Sequence, residues 1–307
     1  MGERNPYLVE RLQGFGTTIF AEMSELASRT GAINLGQGFP DADGPDAVLE
    51  AAVAAMRAGH NQYPPSLGVP ALRRAVADHQ RRFYGLEVDP DTEVLVTAGA
   101  SEAIAAAMLA LVEPGDEVVV FEPYFDHYAT SIALAGGRRR VVRLQEPDLH
   151  FDVADLEAAV GPNTRLILLN SPHNPAGKVF DANELAAVAA VAVTGWKVGW
   201  AMGSTDLVSA VVVAKQSLTY VSSGPFQHAL VVALGLDDGY FAELAADLQA
   251  KRDLFCGGLT AAGFEVRPPS GTYFATADIR PLGFDDGIEF CLSLPERCGV
   301  VAVPSTV

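Results

Sequence analysis

Arg165-Leu166-Ile167-Leu168-Leu169 runs directly into Asn170-Ser171-Pro172-His173-Asn174-Pro175-Ala176-Gly177. A short, mostly apolar run ending in a loop of prolines and asparagines places that loop at the carboxyl end of a buried strand. In an open α/β sheet that is where ligands bind. Asn174 can donate to or accept from a ligand oxygen, while Pro175 removes a backbone donor and stiffens the turn. Alone, the loop reads equally well as an ordinary strand-to-helix turn. The sequence on either side decides between the two.

Outward from this loop the pattern alternates. Residues 93–97 predict a β-branched strand and 101–111 an Ala-rich helix. A strand at 117–121 and a helix at 124–135 follow, then a strand at 139–144 and a helix at 153–160. The strand 166–170 leads through the loop to a helix at 183–193. Such regularity predicts an α/β fold with a largely parallel sheet between helices. Before it, Pro45 opens a helix to about residue 58, and residues 69–84 form another. After Trp200 come helices at 206–218, 225–234 and 240–262. Short strands around Glu265 and at 272–277, and a helix from Asp286, complete the pattern. The expected organisation is a large domain over 45–235 and a smaller α+β domain built from 1–44 and 236–307.

Composition limits the function. The 307 residues carry a formal charge of −17, which argues against nucleic acid or an anionic membrane as partner. Cys256, Cys291 and Cys298 have no CxxC or CxxH spacing, and the six histidines are scattered, so no metal site is expected. No apolar run approaches the ~18 residues of a membrane span, and the N-terminus lacks a signal-peptide core. The expected compartment is the cytoplasm.

Three further stretches can bind a ligand. Val96-Thr97-Ala98-Gly99-Ala100-Ser101 reads as strand, small-residue turn and helix start. Free N–H groups at Gly99, Ala100 and Ser101 make an anion cup sized for a phosphate. A plain N-cap by Ser101 is the other reading. No GxGxxG is present, which disfavours a dinucleotide. In Glu122-Pro123-Tyr124-Phe125-Asp126-His127-Tyr128, Phe125 is either a core aromatic or a face that stacks on a planar ring. Lys197, between Trp196 and Trp200, is a snorkelling surface residue or a cation aimed at a phosphate.

In order along the chain, these stretches resemble the fold-type-I pyridoxal-5′-phosphate (PLP) aminotransferases. The resemblance is to their kynurenine, glutamine and N-succinyldiaminopimelate branch. The matching segments are INLGQGFPD (33–41), NQYPPSLGVPALR (61–73), VTAGASEAI (96–104), EPYFDHY (122–128), NSPHNPAGKVF (170–180), TGWKVGW (194–200) and GTYF (271–274). The resemblance implies a PLP-transferase-like large domain and transfer of an amino group from an amino donor to a 2-oxo acid. It implies that Gly99, Ala100 and Ser101 hold the PLP phosphate, Phe125 lies on the pyridine ring and Asn174 bonds the ring's phenolic oxygen. Lys197 would pair with the phosphate, and Gly38 would meet the substrate. Tyr63 would reach the phosphate of a neighbouring subunit, making the active unit a homodimer. Glu122–Pro123 and Asn174–Pro175 are candidate cis peptides. INLGQGFPD and AKQSLTYVSSGPFQ (214–227) tilt the substrate towards the N-succinyldiaminopimelate type.

The chain departs from the family at one decisive place. Members carry K-x-x-x-x-T-G-W-K, whose first lysine forms the Schiff base; here that position is Ala189, so the catalytic lysine has no assignment. The aspartate that pairs with the pyridine nitrogen is missing too, as is the arginine that clamps the substrate carboxylate. An Ala/Val helix would also enter Thr194 without a stop signal. The expectation is that residues intervene between Val193 and Thr194, and that the protein continues past Val307. Two alternatives share the scaffold: a cysteine-conjugate β-lyase, and a PLP-binding paralogue without catalysis should the lysine be truly absent.

Overall fold

A computed structural model describes residues 4–36, 44–146, 148–191 and 200–305. Helix α1 (Ile19–Thr30) is capped by the Thr18 hydroxyl, which accepts from the Ala21 N–H at 3.2 Å. It leads to β1 (Ile33–Asn34). Helices α2 (Asp46–Arg57) and α3 (Pro70–Tyr84) follow, each beginning at or next to a proline whose fixed φ suits a first turn. Then come β2 (Val94–Val96), α4 (Gly99–Leu111), β3 (Glu117–Glu122), α5 (His127–Ala135) and β4 (Arg138–Arg143). Next are α6 (Val153–Ala159), β5 (Thr164–Leu168), α7 (Ala182–Val191) and β6 (Trp200–Met202). The chain continues through α8 (Thr205–Leu218), α9 (Gly224–Leu234), α10 (Asp238–Ala261), β7 (Glu265–Arg267), β8 (Thr276–Asp278), α11 (Gly287–Cys298) and β9 (Val300–Val301).

Strand β3 is the centre of a parallel sheet of order β4-β3-β5, with Val120 opposite Val141 on one side and Leu168 on the other. Its side chains alternate between two cores, as the pleat requires. Val119 and Phe121 join Val142, Phe151, Leu156, Phe180 and Val188 beneath α6 and α7. Val118 and Val120 join Met108, Val112 and Ile132 beneath α4 and α5. A strand buried on both faces must be apolar throughout its interior, and this one is. Strand β2 repeats the arrangement: Val94 and Val96 pack on Leu72 and Val76 of α3, and Leu95 packs on Ala106 and Val208.

A separate antiparallel pair accompanies this parallel sheet. β6 runs antiparallel to β2, pairing Val96 with Trp200 and Val94 with Met202. It is not among the strands the sequence pattern predicts, because three residues are too few to show a period. Among the described residues β6 and β2 form a separate pair from β4-β3-β5. A second correction concerns the helix expected from residue 124, which starts at His127. The N–H groups of Tyr128 and Ala129 bond the carbonyls of Phe125 and Asp126, so a turn precedes the helix. The strand expected over 272–277 is confined to Thr276–Asp278, since Thr272 has φ +67° and cannot be extended.

The two chain ends meet. β1 pairs in parallel with β9, and Met23 and Ala27 of α1 share a core with Phe290, Cys291 and Val301.

Candidate active site

Three strand-to-helix loops converge at the carboxyl ends of β2, β3 and β5. After β2, the chain enters α4 at Gly99, whose φ of +78° is the left-handed conformation that glycine adopts without a steric cost. Gly99, Ala100 and Ser101 occupy the first three helical positions, where N–H groups have no acceptor inside the helix, and all three are exposed. Among the described residues nothing lies within 4 Å of where a Cβ of Gly99 would be. Ser101 is not the N-cap. That position belongs to Ala98, which has no side chain to cap with, so the amides are left for something else.

His127 joins the second loop to the first: its Nε2 donates to the Ser101 carbonyl oxygen at 2.9 Å. Phe125 meets the ring of Tyr128 edge-on at 5.7 Å. Burial pushes the Tyr128 phenol up to about 12, against the opposing pull of a hydrogen bond with Asn170. That bond ties the second loop to the third, because Asn170 is the buried residue that opens the loop after β5. Within the third loop the N–H of Gly177 bonds the His173 carbonyl oxygen at 2.8 Å, and the N–H of His173 bonds that of Lys178 at 2.7 Å. The Asn174 side-chain oxygen is buried and has no hydrogen-bond partner among the described residues. Half a turn of that amide exchanges oxygen and nitrogen, so the position can serve a ligand acceptor as well as a donor. Both expected cis peptides, Glu122–Pro123 and Asn174–Pro175, are cis, as is Ser171–Pro172.

The structure therefore brings Gly99, Ala100, Ser101, Phe125 and Asn174 into connected loops at one edge of the sheet. Tyr63 lies apart, 81% exposed, its ring edge-on to that of Tyr220 at 5.8 Å. Gly38, Lys197 and the Val193–Thr194 junction lie outside the described residues, as does the side chain of Ala189. The geometry adds His127, Tyr128 and Asn170 to the site. All three fall inside motifs visible in the sequence, but only contact shows what they do. From further along the chain, residues 269–271 close over the third loop: the Gly177 carbonyl oxygen accepts from the N–H groups of Ser270 (3.0 Å) and Gly271 (3.2 Å). Among the described residues no group of acidic, histidine and cysteine side chains could hold a metal ion, and no helix is long and apolar enough to cross a membrane.

An arrangement of this kind can hold a flat anion: phosphate at the helix start, an aromatic face beside it, and an amide aimed at a ring substituent. Comparison with known proteins agrees. The family described as aminotransferase class I and II matches residues 30–193 and again 190–307. A probable N-succinyldiaminopimelate aminotransferase from Mycobacterium tuberculosis is 46% identical over 345 residues, covering 96% of this chain and 87% of its own length. The methionine aminotransferase of Escherichia coli is 36% identical, covering 99% and 91%. The solved structure of N-succinyldiaminopimelate aminotransferase from Mycobacterium tuberculosis superimposes with a TM-score of 0.91 at 45% identity, covering 97% of this chain and 90% of that one. These names do not favour the β-eliminating alternative. Two of the numbers bear on the lysine. The alignment of 345 residues exceeds the 307 of this chain, and the family match breaks at residues 190–193.

Proposed function

The chain belongs to the aminotransferase class I and II family, and we propose which of its residues hold the cofactor and which amino donor it takes. It is an α/β PLP-dependent aminotransferase of fold type I, moving an amino group from an amino acid to a 2-oxo acid. Bound PLP supplies the electron sink that lets the Cα–H bond of an amino acid break. The residues present fit its phosphate and ring. The exposed amides at 99–101 suit the phosphate, and the Asn174 side-chain amide, whose oxygen has no partner among the described residues, suits the phenolic oxygen. Phe125, which meets Tyr128 edge-on, would lie on the ring. Lys197 would add a cation at the phosphate and Gly38 a backbone surface at the substrate.

The active unit in this reading is a homodimer, with the exposed Tyr63 reaching the partner's phosphate. The large domain spans about 45–235, the small one takes both chain ends, and the compartment is the cytoplasm. The proton-shuttling lysine of the family matches Ala189, so we place that lysine in residues that intervene between Val193 and Thr194 in the working enzyme. The alignment longer than the chain and the break in the family match support this.

For the donor we propose N-succinyldiaminopimelate. The carrying observation is the 46% identity to a relative so named, against 36% for the methionine and 32% for a kynurenine enzyme. Amino transfer from these three donors to a common 2-oxo acid is the direct test. N-succinyldiaminopimelate should give the highest kcat/KM, and a higher value for methionine or kynurenine overturns the assignment.

A further inference from the structure

The stretch 214–227, marked by its resemblance but given no role above, ends α8 beside the start of α4. Glu102 and Lys215 are both buried there, at 8% and 1% exposure. One carboxylate oxygen of Glu102 accepts from the Ala98 N–H at 2.6 Å, and the other accepts from the Thr219 hydroxyl at 2.5 Å. Lys215 Nζ donates to the Tyr220 carbonyl oxygen at 2.8 Å. Tyr220 has φ +65°, in the left-handed region that a non-glycine side chain adopts only when its surroundings hold it there. Its ring is the one that Tyr63 meets.

A buried carboxylate in the first turn of α4 poses an electrostatic problem. It suits the helix N-terminus but repels any anion bound at that same N-terminus. It also anchors the amide of Ala98, the residue that delivers the chain into Gly99. The opposite charge comes from Lys215. Both groups are buried where the end of α8 meets the start of α4, and burial disfavours the Lys215 ammonium while the Glu102 carboxylate favours it.

We propose that Lys215, Glu102 and Thr219 are positioning residues of the phosphate cup. Glu102 fixes the entry into α4 so that the amides of 99–101 converge on one anion, Thr219 holds Glu102, and Lys215 cancels its repulsion of that anion. The same turn, through Tyr220, sets the direction of Tyr63. This inference rests on the reading of residues 99–101 as a phosphate cup.

The test uses the full chain and two probes, pyridoxamine 5′-phosphate and pyridoxamine, which need no lysine and differ only in the phosphate. Equilibrium dialysis gives the ratio of their dissociation constants. K215M should lower the preference for the phosphorylated probe about tenfold while leaving pyridoxamine unchanged, and adding E102Q should restore it to within about threefold. T219V, which removes one hydroxyl and leaves both charges buried, should lower the same ratio about threefold. Should K215M weaken both probes equally, or E102Q fail to rescue, Lys215 is merely structural and the proposal falls. An unchanged ratio in both K215M and T219V overturns it as well. Absence of any preference in the unsubstituted protein is a different failure, visible before any substitution: it removes the cup itself.

Discussion

Gly177 shows how tightly one position of the site is fixed. Its φ is +67°, and a Cβ there would lie 2.4 Å from the Pro269 Cβ and 3.2 Å from its Cα. Gly177→Ala therefore meets both a disfavoured backbone conformation and a proline ring with little freedom to retreat. It should destabilise the protein by roughly 1–3 kcal/mol in urea unfolding, and a change below about 0.5 kcal/mol would contradict the packing described. The glycine is plain in the sequence as part of a turn, but its reason is not, because Pro269 is remote along the chain. Phe125 is the reverse case: the sequence offers ring face or core, the side chain is half-buried, and the function proposed here takes it as the ring face. Phe125→Ala should raise the dissociation constant for pyridoxamine 5′-phosphate about three- to tenfold, the worth of one aromatic contact. No change in that constant would return Phe125 to the core.

Among the elements, β3 was readable in advance because burial on both faces demands an unbroken apolar run, and Val118 to Phe121 supply one. β6 was not, since its pairing with β2 depends on a partner a hundred residues away. Caps fall between these extremes. Asp286 precedes the apolar face of α11, and its carboxylate accepts from the N–H groups of Ile288 (2.8 Å) and Glu289 (2.9 Å). Asp286→Ala should cost about 1 kcal/mol, and Asp286→Asn or Ser much less. An Ala variant as stable as the Asn variant would show that the cap carries no weight there. The same logic fails at α4, where the residue in the cap position, Ala98, cannot cap. An α4 start without a side-chain cap accords with the phosphate cup proposed there.

For the whole molecule the decisive feature is the division of the sheet. β3, paired on both sides, is buried along its interior, whereas all of β5 retains some exposure despite Leu166, Ile167 and Leu168. Beyond β5 on one side, and β6 on the other, no strand pairs among the described residues. β5 and β6 each leave one edge without a strand partner among the described residues, a costly arrangement because every edge N–H and C=O must find another partner. Strands lying between them would resolve it, and would bring the lysine that Ala189 does not provide. An alignment longer than this chain and a family match that restarts at residue 190 accord with the proposal that residues intervene there. The sequence alone marks the junction only by what it lacks: no glycine, asparagine or proline ends the run of Ala and Val before Thr194. In protein isolated from its own cells, the intact mass should exceed 32.4 kDa. Trypsin should yield no peptide that runs from Val179 through Val193 and Thr194 to Lys197. Recovery of that contiguous peptide would prove the junction real, and the lysine would then have to be sought among Lys178, Lys197, Lys215 and Lys251.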